Sequence, residues 1–337
     1  RRAISFAADR GAYNAQQVVR VYPERADYTS ELLKGLPLIV TNHRERSAFN
    51  FSPYQGEKLR PVITYNYDNE HITPYSFDVE LDDNRMKAEY ALSHQSAIYR
   101  ITYEADKPAY LIVNSRNGSI HANENFISGR QQLNDNTNVY VYIEAQEKPI
   151  SAGILENGTI ETSKDNAEGA NACAAWRFAD GTTTVNLRYG ISFISEEQAE
   201  KNLHRELKDY NIKALAEAGR QIWNETLGRI QVEGGTEDDK TVFYSSFYRT
   251  FERPICMSED GRYFSAFDGK VHEDNGTPFY TDDWIWDTYR AAHPLRTLID
   301  TFTEENGYKL IFDDAQQKQE NQIKAIRSFI QQDVDYI

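Results

Sequence analysis

The hydrophobic period of this chain changes once, near Ser195, and that change constrains the fold more than any other feature. From about residue 36 to 195 the pattern has period two. Tyr99, Ile101 and Tyr103 alternate with Arg100 and Thr102, and Val139, Val141 and Ile143 alternate with tyrosines and an acid. The clearest run is Val185, Leu187, Tyr189, Ile191 and Phe193. Successive side chains of a strand point to opposite faces, so such runs bury one face of a sheet and leave the other half-exposed. Asn117-Gly118, Asn157-Gly158 and Asp180-Gly181 lie between runs and tolerate the positive φ angles of tight hairpin turns. Many short antiparallel strands with such turns predict a β-sandwich. Residues 123–138 are polar and weakly patterned, which predicts a loop.

After Ser195 the period lengthens. Leu203, Leu207, Tyr210 and Ala214 recur at three- and four-residue steps on one helical face, which predicts a linker helix running to about Leu227. Gly234-Gly235 breaks the chain. Thr236 then stands as an N-cap, with Glu237, Asp238 and Asp239 in the first turn, where acids favour the helix dipole. Phe243, Phe247 and Phe251 lie four apart on the helix that follows. A third helix is expected over Asp283 to Leu298, bent or ended by Pro294. Another is expected over Ala315 to Gln331, with Ile323, Ile326 and Ile330 on one face. Strands first and helices second imply an α+β multidomain chain: a β-sandwich over 1–198, a helical linker over 199–228 and a helical domain over 229–337.

Composition narrows the function. Hydrophobic residues make up 40% and aromatic residues 12%, enough to build real cores. The net charge of −15 argues against nucleic acid and against an anionic membrane surface as partners. It suits a neutral or cationic substrate and bound metal cations. No apolar run approaches the roughly 20 residues of a membrane-spanning helix. The opening Arg1-Arg2-Ala3-Ile4-Ser5 carries no apolar signal core and does not reveal a compartment. Cys173 and Cys256 show no metal-type spacing and read as two buried free thiols.

The segment from Asp260 to Leu295 has the densest chemistry. Asp260-Gly261-Arg262-Tyr263 and Asp268-Gly269-Lys270-Val271-His272 precede Asp282-Asp283-Trp284-Ile285-Trp286-Asp287. Sugar sites need this mixture, because an aromatic face covers the apolar patch of a pyranose and carboxylates accept hydrogen bonds from its hydroxyls. The same residues can be read structurally, with Trp284 and Trp286 in a core and Asp283 as an N-terminal helix acid.

Several stretches resemble glycoside hydrolase family 92. Ile222 to Gly235 is similar to the linker that enters the family's catalytic domain, and Lys240 to Arg249 to that domain's first helix. Asp260-Gly261-Arg262-Tyr263, Trp286-Asp287-Thr288-Tyr289-Arg290-Ala291 and His293-Pro294-Leu295 resemble its most recognisable early signature, in the family's order and rough spacing. Ile72 to Leu81 resembles a strand of the family's sandwich, and Thr41-Asn42-His43 to Phe49-Asn50 its sugar-facing loop. The resemblance implies a β-sandwich joined by a helical linker to the start of an (α/α)6 barrel. It also implies a secreted or periplasmic, calcium-dependent exo-α-mannosidase acting on mannose-containing glycans with inversion. In such a reaction one carboxylic acid protonates the leaving oxygen and a carboxylate activates water on the opposite face. Both groups, with most calcium ligands, are expected in segments beyond Ile337, so no catalytic residue is assigned here. The resemblance implies sugar contacts at Asp287, Trp286, His43 and Phe49. For Asp287 the rival reading is a helix acid paired with Arg290, three residues on. His272 and His293 read as structural. A non-catalytic carbohydrate-binding module is the alternative reading of the whole chain.

Overall fold

The structure, a computed structural model, describes residues 32–40, 47–82, 85–133, 136–251, 254–281, 283 and 288–299. The period-two region forms strands β1 (Leu32–Lys34), β2 (Leu36–Val40), β3 (Ser47–Tyr54), β4 (Thr64–Ile72), β5 (Ser76–Leu81), β6 (Met86–Leu92), β7 (Ser96–Thr102) and β8 (Tyr110–Ser115). It continues with β9 (Gly118–Ala122), β10 (Ile127–Gln132), β11 (Asn138–Ala145), β12 (Ser151–Glu156), β13 (Thr159–Glu161), β14 (Asn166–Gly169), β15 (Ala172–Arg177) and β16 (Thr184–Ser192). One sheet has ten strands in the order β1-β4-β5-β6-β7-β16-β11-β10-β9-β14, and the other has six in the order β13-β12-β15-β8-β3-β2. β16 pairs antiparallel with β7 through Val185↔Ile101 and Leu187↔Tyr99, and with β11 through Val141↔Ile191.

The inward positions of both sheets merge into one core. Tyr99 lies at its centre, 4.5 Å from Phe51 and from Tyr90, and stacked on Tyr189 at 6.3 Å. Buried tyrosines need partners for their hydroxyls. Tyr189 donates to the Leu38 carbonyl at 2.8 Å and Tyr65 to the Pro53 carbonyl at 2.7 Å. Trp176 is wholly buried and donates its indole N–H to the Asn123 carbonyl at 2.7 Å.

Three local expectations change in the strand region. Only Asn157-Gly158, with φ of 50° and 84°, turns a hairpin, between β12 and β13. Asn117 precedes β9 and Asp180-Gly181 precedes β16, and both mark places where the chain passes from the six-stranded sheet to the ten-stranded one. The expected loop over 123–138 contains β10, paired on both sides. Its polarity is satisfied inside the fold: the buried Gln131 side-chain oxygen accepts the Phe49 N–H at 2.8 Å and the Arg116 N–H at 3.3 Å.

The linker is two helices, not one. α1 (Glu196–Glu206) starts on the Ser195 hydroxyl, which accepts the Gln198 N–H, and α2 (Ile212–Leu227) starts on the Asn211 side chain, which accepts the Ala214 N–H. Between them the Asp209 carboxylate accepts the Asn211 N–H at 2.8 Å. Such local bonds offer the backbone an alternative to a continuous helix. α1 lies directly on β16, where Gly190 leaves the room: a Cβ there would meet the Ala199 carbonyl at 2.2 Å. α3 (Glu237–Arg249) begins as expected, with a reciprocal capping box between Thr236 and Asp239.

Beyond α3 the expectation of helices alone fails. β17 (Ile255–Cys256) pairs with β20 (Tyr280–Thr281), and β18 (Arg262–Ser265) pairs with β19 (Lys270–Glu273) across the Asp268-Gly269 turn. Residues to Asp283 gather into one compact unit and residues from Trp284 into another. In the second, α4 (Ala292–Ile299) is shorter than the expected third helix. Pro294 falls in its first turn, where the missing N–H is not needed. Residue 288 is helical and residues 289–291 form a turn, so the expected longer helix is interrupted just ahead of Pro294, and its residues 284–287 lie outside the described ones. The helix expected over Ala315 to Gln331 lies outside the described residues.

Candidate functional site

The Asp260-Gly261-Arg262-Tyr263 stretch is fixed against α1 and the end of β16 by a polar cluster. Glu259, only 2% exposed, accepts the Phe193 N–H at 2.9 Å and the Asn202 side-chain amide at 2.8 Å. Asp260, at φ 51°, accepts from the Gln198 amide at 2.7 Å and from the Arg205 guanidinium at 2.6 Å. Arg262 donates to the Gln198 carbonyl oxygen at 2.7 Å, and Arg205 reaches the Gln95 side chain at 2.8 Å. Gln95 in turn donates to the Ser258 carbonyl at 3.1 Å. The sandwich, α1 and the turn before β18 thus meet through the buried Gln95, Gln198, Asn202 and Glu259, rimmed by the exposed Arg205–Asp260 pair.

Burial pushes the Glu259 carboxyl up to about 7, against the opposite pull of Ser192, Phe193, Asn202 and Arg205. Burial also acts on Asp260, but its bonds to Gln198 and Arg205 hold it below the usual carboxylate range. A carboxyl poised near neutrality is what a general acid needs. Glu259 nevertheless fails as one, because its oxygens face donors from β16 and α1 and almost none of its surface is open. The cluster is a joint, and the sequence pattern of Asp-Gly turns alone did not disclose it.

The residues implied by resemblance fall differently. Asp287, Trp286 and His43 lie outside the described residues, as does Asp282. Phe49 lies in β3, wholly buried, at φ 49°. Its backbone occupies the left-handed region that a bulky residue adopts only under constraint, here the Gln131 bond to its N–H. His272 bonds the Asp268 carboxylate at 2.9 Å and lies over Tyr263, whose other neighbour Phe279 stacks at 3.9 Å. His293 shares a hydrogen bond with the Thr288 hydroxyl at 3.0 Å. Both cysteines are buried and free, and burial pushes the Cys173 thiol up to about 12, which makes it inert. A cavity of about 170 Å³ opens beside α2, lined by Tyr75, Leu92, Leu215, Ala218, Ile222 and Trp223 among others. Its lining is largely apolar and presents no pair of carboxylates. No described helix is long and apolar enough to cross a membrane.

A sandwich followed by helices is the architecture of a class of glycosidases. An inverting mannosidase of family 92 from Bacteroides thetaiotaomicron shares it, at TM-score 0.71 and 27% identity, over 80% of this chain and 39% of that one. A second family 92 α-mannosidase from the same organism aligns at TM-score 0.71 and 23% identity, over 80% of this chain and 41% of that one. A protein described as an uncharacterized secreted glycosidase from Arthroderma benhamiae is 32% identical over 101 residues, 26% of this chain and 13% of its own length. The model of the glycosyl hydrolase family 92 N-terminal domain matches residues 23–192, and that of the family's catalytic domain matches residues 198–329. The chain belongs to glycosyl hydrolase family 92. It spans about two fifths of the solved mannosidases it matches.

Proposed function

We propose that the complete protein is an exo-α-mannosidase, secreted or periplasmic, that removes terminal α-linked mannose from glycans with inversion. The carrying observation is that both family domains match in order, over 23–192 and 198–329. The fold's similarity to an inverting mannosidase supports the same reading. Resemblance to the family puts the acid and base in segments beyond Ile337; among the described residues the buried carboxyl poised near neutrality, Glu259, is locked in the joint. Calcium enters only as a requirement of the complete enzyme. Among the described residues no three His, Cys, Asp or Glu side chains converge, so the carboxylates of the oxygen shell it needs are not gathered there. Sugar contacts are assigned to Asp287, Trp286 and His43. A contact from Phe49 requires its ring to leave a fully buried position.

Incubation of the complete protein with an α-mannoside should release free mannose, first as the β-anomer by NMR. Release as the α-anomer, or no release, would reject the reading. Within it, Asp287→Asn keeps the shape of the side chain but loses its charge. A charge-assisted hydrogen bond contributes about 1.5–3 kcal/mol, so kcat/KM should fall by about 10²-fold once lost orientation is included. The melting temperature should barely change. Near-normal kinetics would favour a helix acid paired with Arg290.

A further inference from the structure

Five Asn-X-Ser/Thr triplets stand in the sequence without an intervening proline: Asn50-Phe51-Ser52, Asn117-Gly118-Ser119, Asn157-Gly158-Thr159, Asn224-Glu225-Thr226 and Asn275-Gly276-Thr277. In a secreted chain such a triplet is an acceptor for an N-linked glycan, which is bulky and hydrated and has to end on the surface. What surrounds each asparagine sorts the five.

Asn50 lies in β3, wholly buried, and donates its amide to the Lys34 carbonyl at 2.9 Å. Its side chain is packed so closely that a Cβ on Gly35 would meet it at 2.1 Å. A sugar on that nitrogen would keep β2 and β3 from folding together. Asn117 is exposed, but its amide bonds the Gln132 side chain at 3.5 Å. Gly118 beside it is buried, with the Arg130 carbonyl 1.8 Å from where a Cβ would stand. Asn275 is exposed, but Pro278 directly follows Thr277 and restricts that residue to extended backbone. The Thr277 hydroxyl is thereby kept from folding back towards the Asn275 amide.

Asn157 and Asn224 escape all three obstacles. Asn157 is exposed in the turn between β12 and β13, at φ 50°, and its triplet ends on Thr159. β13 is the end strand of the six-stranded sheet, so sugars leaving this turn pass an open edge, not a packed face. Asn224 is exposed on α2, about 100° round the helix from the buried Trp223, whose indole donates to the Pro74 carbonyl at 3.2 Å. Among the described residues neither asparagine's amide is engaged in a hydrogen bond, and no proline follows either triplet.

We propose that Asn157 and Asn224 carry N-linked glycans. The inference rests on the secretion proposed above, by a route whose lumen holds an oligosaccharide linked to a lipid diphosphate. In the transfer, Nδ2 of the asparagine bonds to C1 of the first sugar. The lipid diphosphate leaves with the electrons of the C1–O bond, and one amide proton passes to solvent. Thr159 and Thr226 are read by the transferring enzyme and are not consumed.

The complete protein, recovered from the culture medium of its source organism, is treated with peptide N-glycosidase in heavy-oxygen water and mapped by peptide mass. That treatment turns a glycosylated asparagine into an aspartate marked with heavy oxygen. The mark is expected at Asn157 and Asn224 and not at Asn50. On a denaturing gel, Asn157→Asp and Asn224→Asp should each remove one glycan from the secreted protein. Both replacements keep the size of the side chain, and aspartate tolerates the left-handed backbone at position 157. A circular-dichroism melt checks that each variant folds. Protein from the medium with no mark at either site, or with a mark at Asn50, would overturn the proposal and leave secretion standing. Protein found only inside the cell would overturn the secretion reading and this inference with it. Mannose release depends on neither site and is unaffected by either outcome.

Discussion

The sandwich interior and the joint around Glu259 hold the molecule by opposite means. The interior buries rings and aliphatic side chains from two sheets in one cluster, with Tyr99, Tyr189 and Trp176 among its largest members. Its favourable energy grows with apolar area, about 25 cal/mol per Å² removed from water, and is insensitive to direction. The joint buries the Glu259 carboxyl and the side-chain amides of Gln198 and Asn202 on α1, and stands only because each donor finds its acceptor. Losing one partner there leaves the other unsatisfied, at a cost of about 1–3 kcal/mol. The first region tolerates exchange of one apolar group for another, whereas the second tolerates little exchange.

The largest effect should come from the interior. Trp176→Ala removes a wholly buried indole and orphans the Asn123 carbonyl, and should destabilise the sandwich by about 3–5 kcal/mol in urea unfolding. A loss under about 1 kcal/mol would mean that the two sheets can collapse around the gap, and the contrast with the joint would weaken. The joint should respond to pH instead. Glu259 titrates near 7 when folded but at 4.5 in its ordinary state, so its protonated form fits the folded protein better. Its contribution is fully present below about pH 4.5 and is lost as pH rises through about 7, by up to about 3 kcal/mol. Melts at pH 5 and pH 8 should differ in that direction, and Glu259→Gln should flatten the difference. A protein more stable at pH 8, with the slope unchanged in Glu259→Gln, would show that the surrounding donors outweigh burial. The smallest effect belongs to a feature of neither kind. Thr236→Ala removes an exposed capping box and should cost about 1 kcal/mol or less, read as a small fall in melting temperature.

The same contrast explains what could be read from sequence. Val185 to Phe193 announced β16 by its period, because one buried face imposes alternation. Thr236 announced α3, because a cap is a local device written in adjacent residues. β10 was invisible, since Gln131 and Ser128 are polar side chains satisfied from distant parts of the chain. The break between α1 and α2 turned on a single aspartate-to-amide bond inside a helical period. The Glu259 joint joins residues up to 163 positions apart through amides and acids that carry no periodic signature. The family signature around Asp260 was recognisable, but its described bonds serve attachment of α1.

The position of β16 has a consequence for how the protein is made. Strands β1 and β4 to β7 form one half of the ten-stranded sheet, and β9 to β11 with β14 form the other. β16, the final strand of the sandwich in the sequence, is the only one bonded to both halves. While the chain is being synthesised, each half waits with an open edge at β7 or β11, and open edges invite pairing with other chains. Tyr99 of β7 and Ala145 of β11 become neighbours of one residue, Leu187 of β16, only at that moment. Long-range closure of this kind is slow. α1 follows β16 directly and lies on it through Gly190, so the segment that completes the sheet is covered by the next residues to emerge.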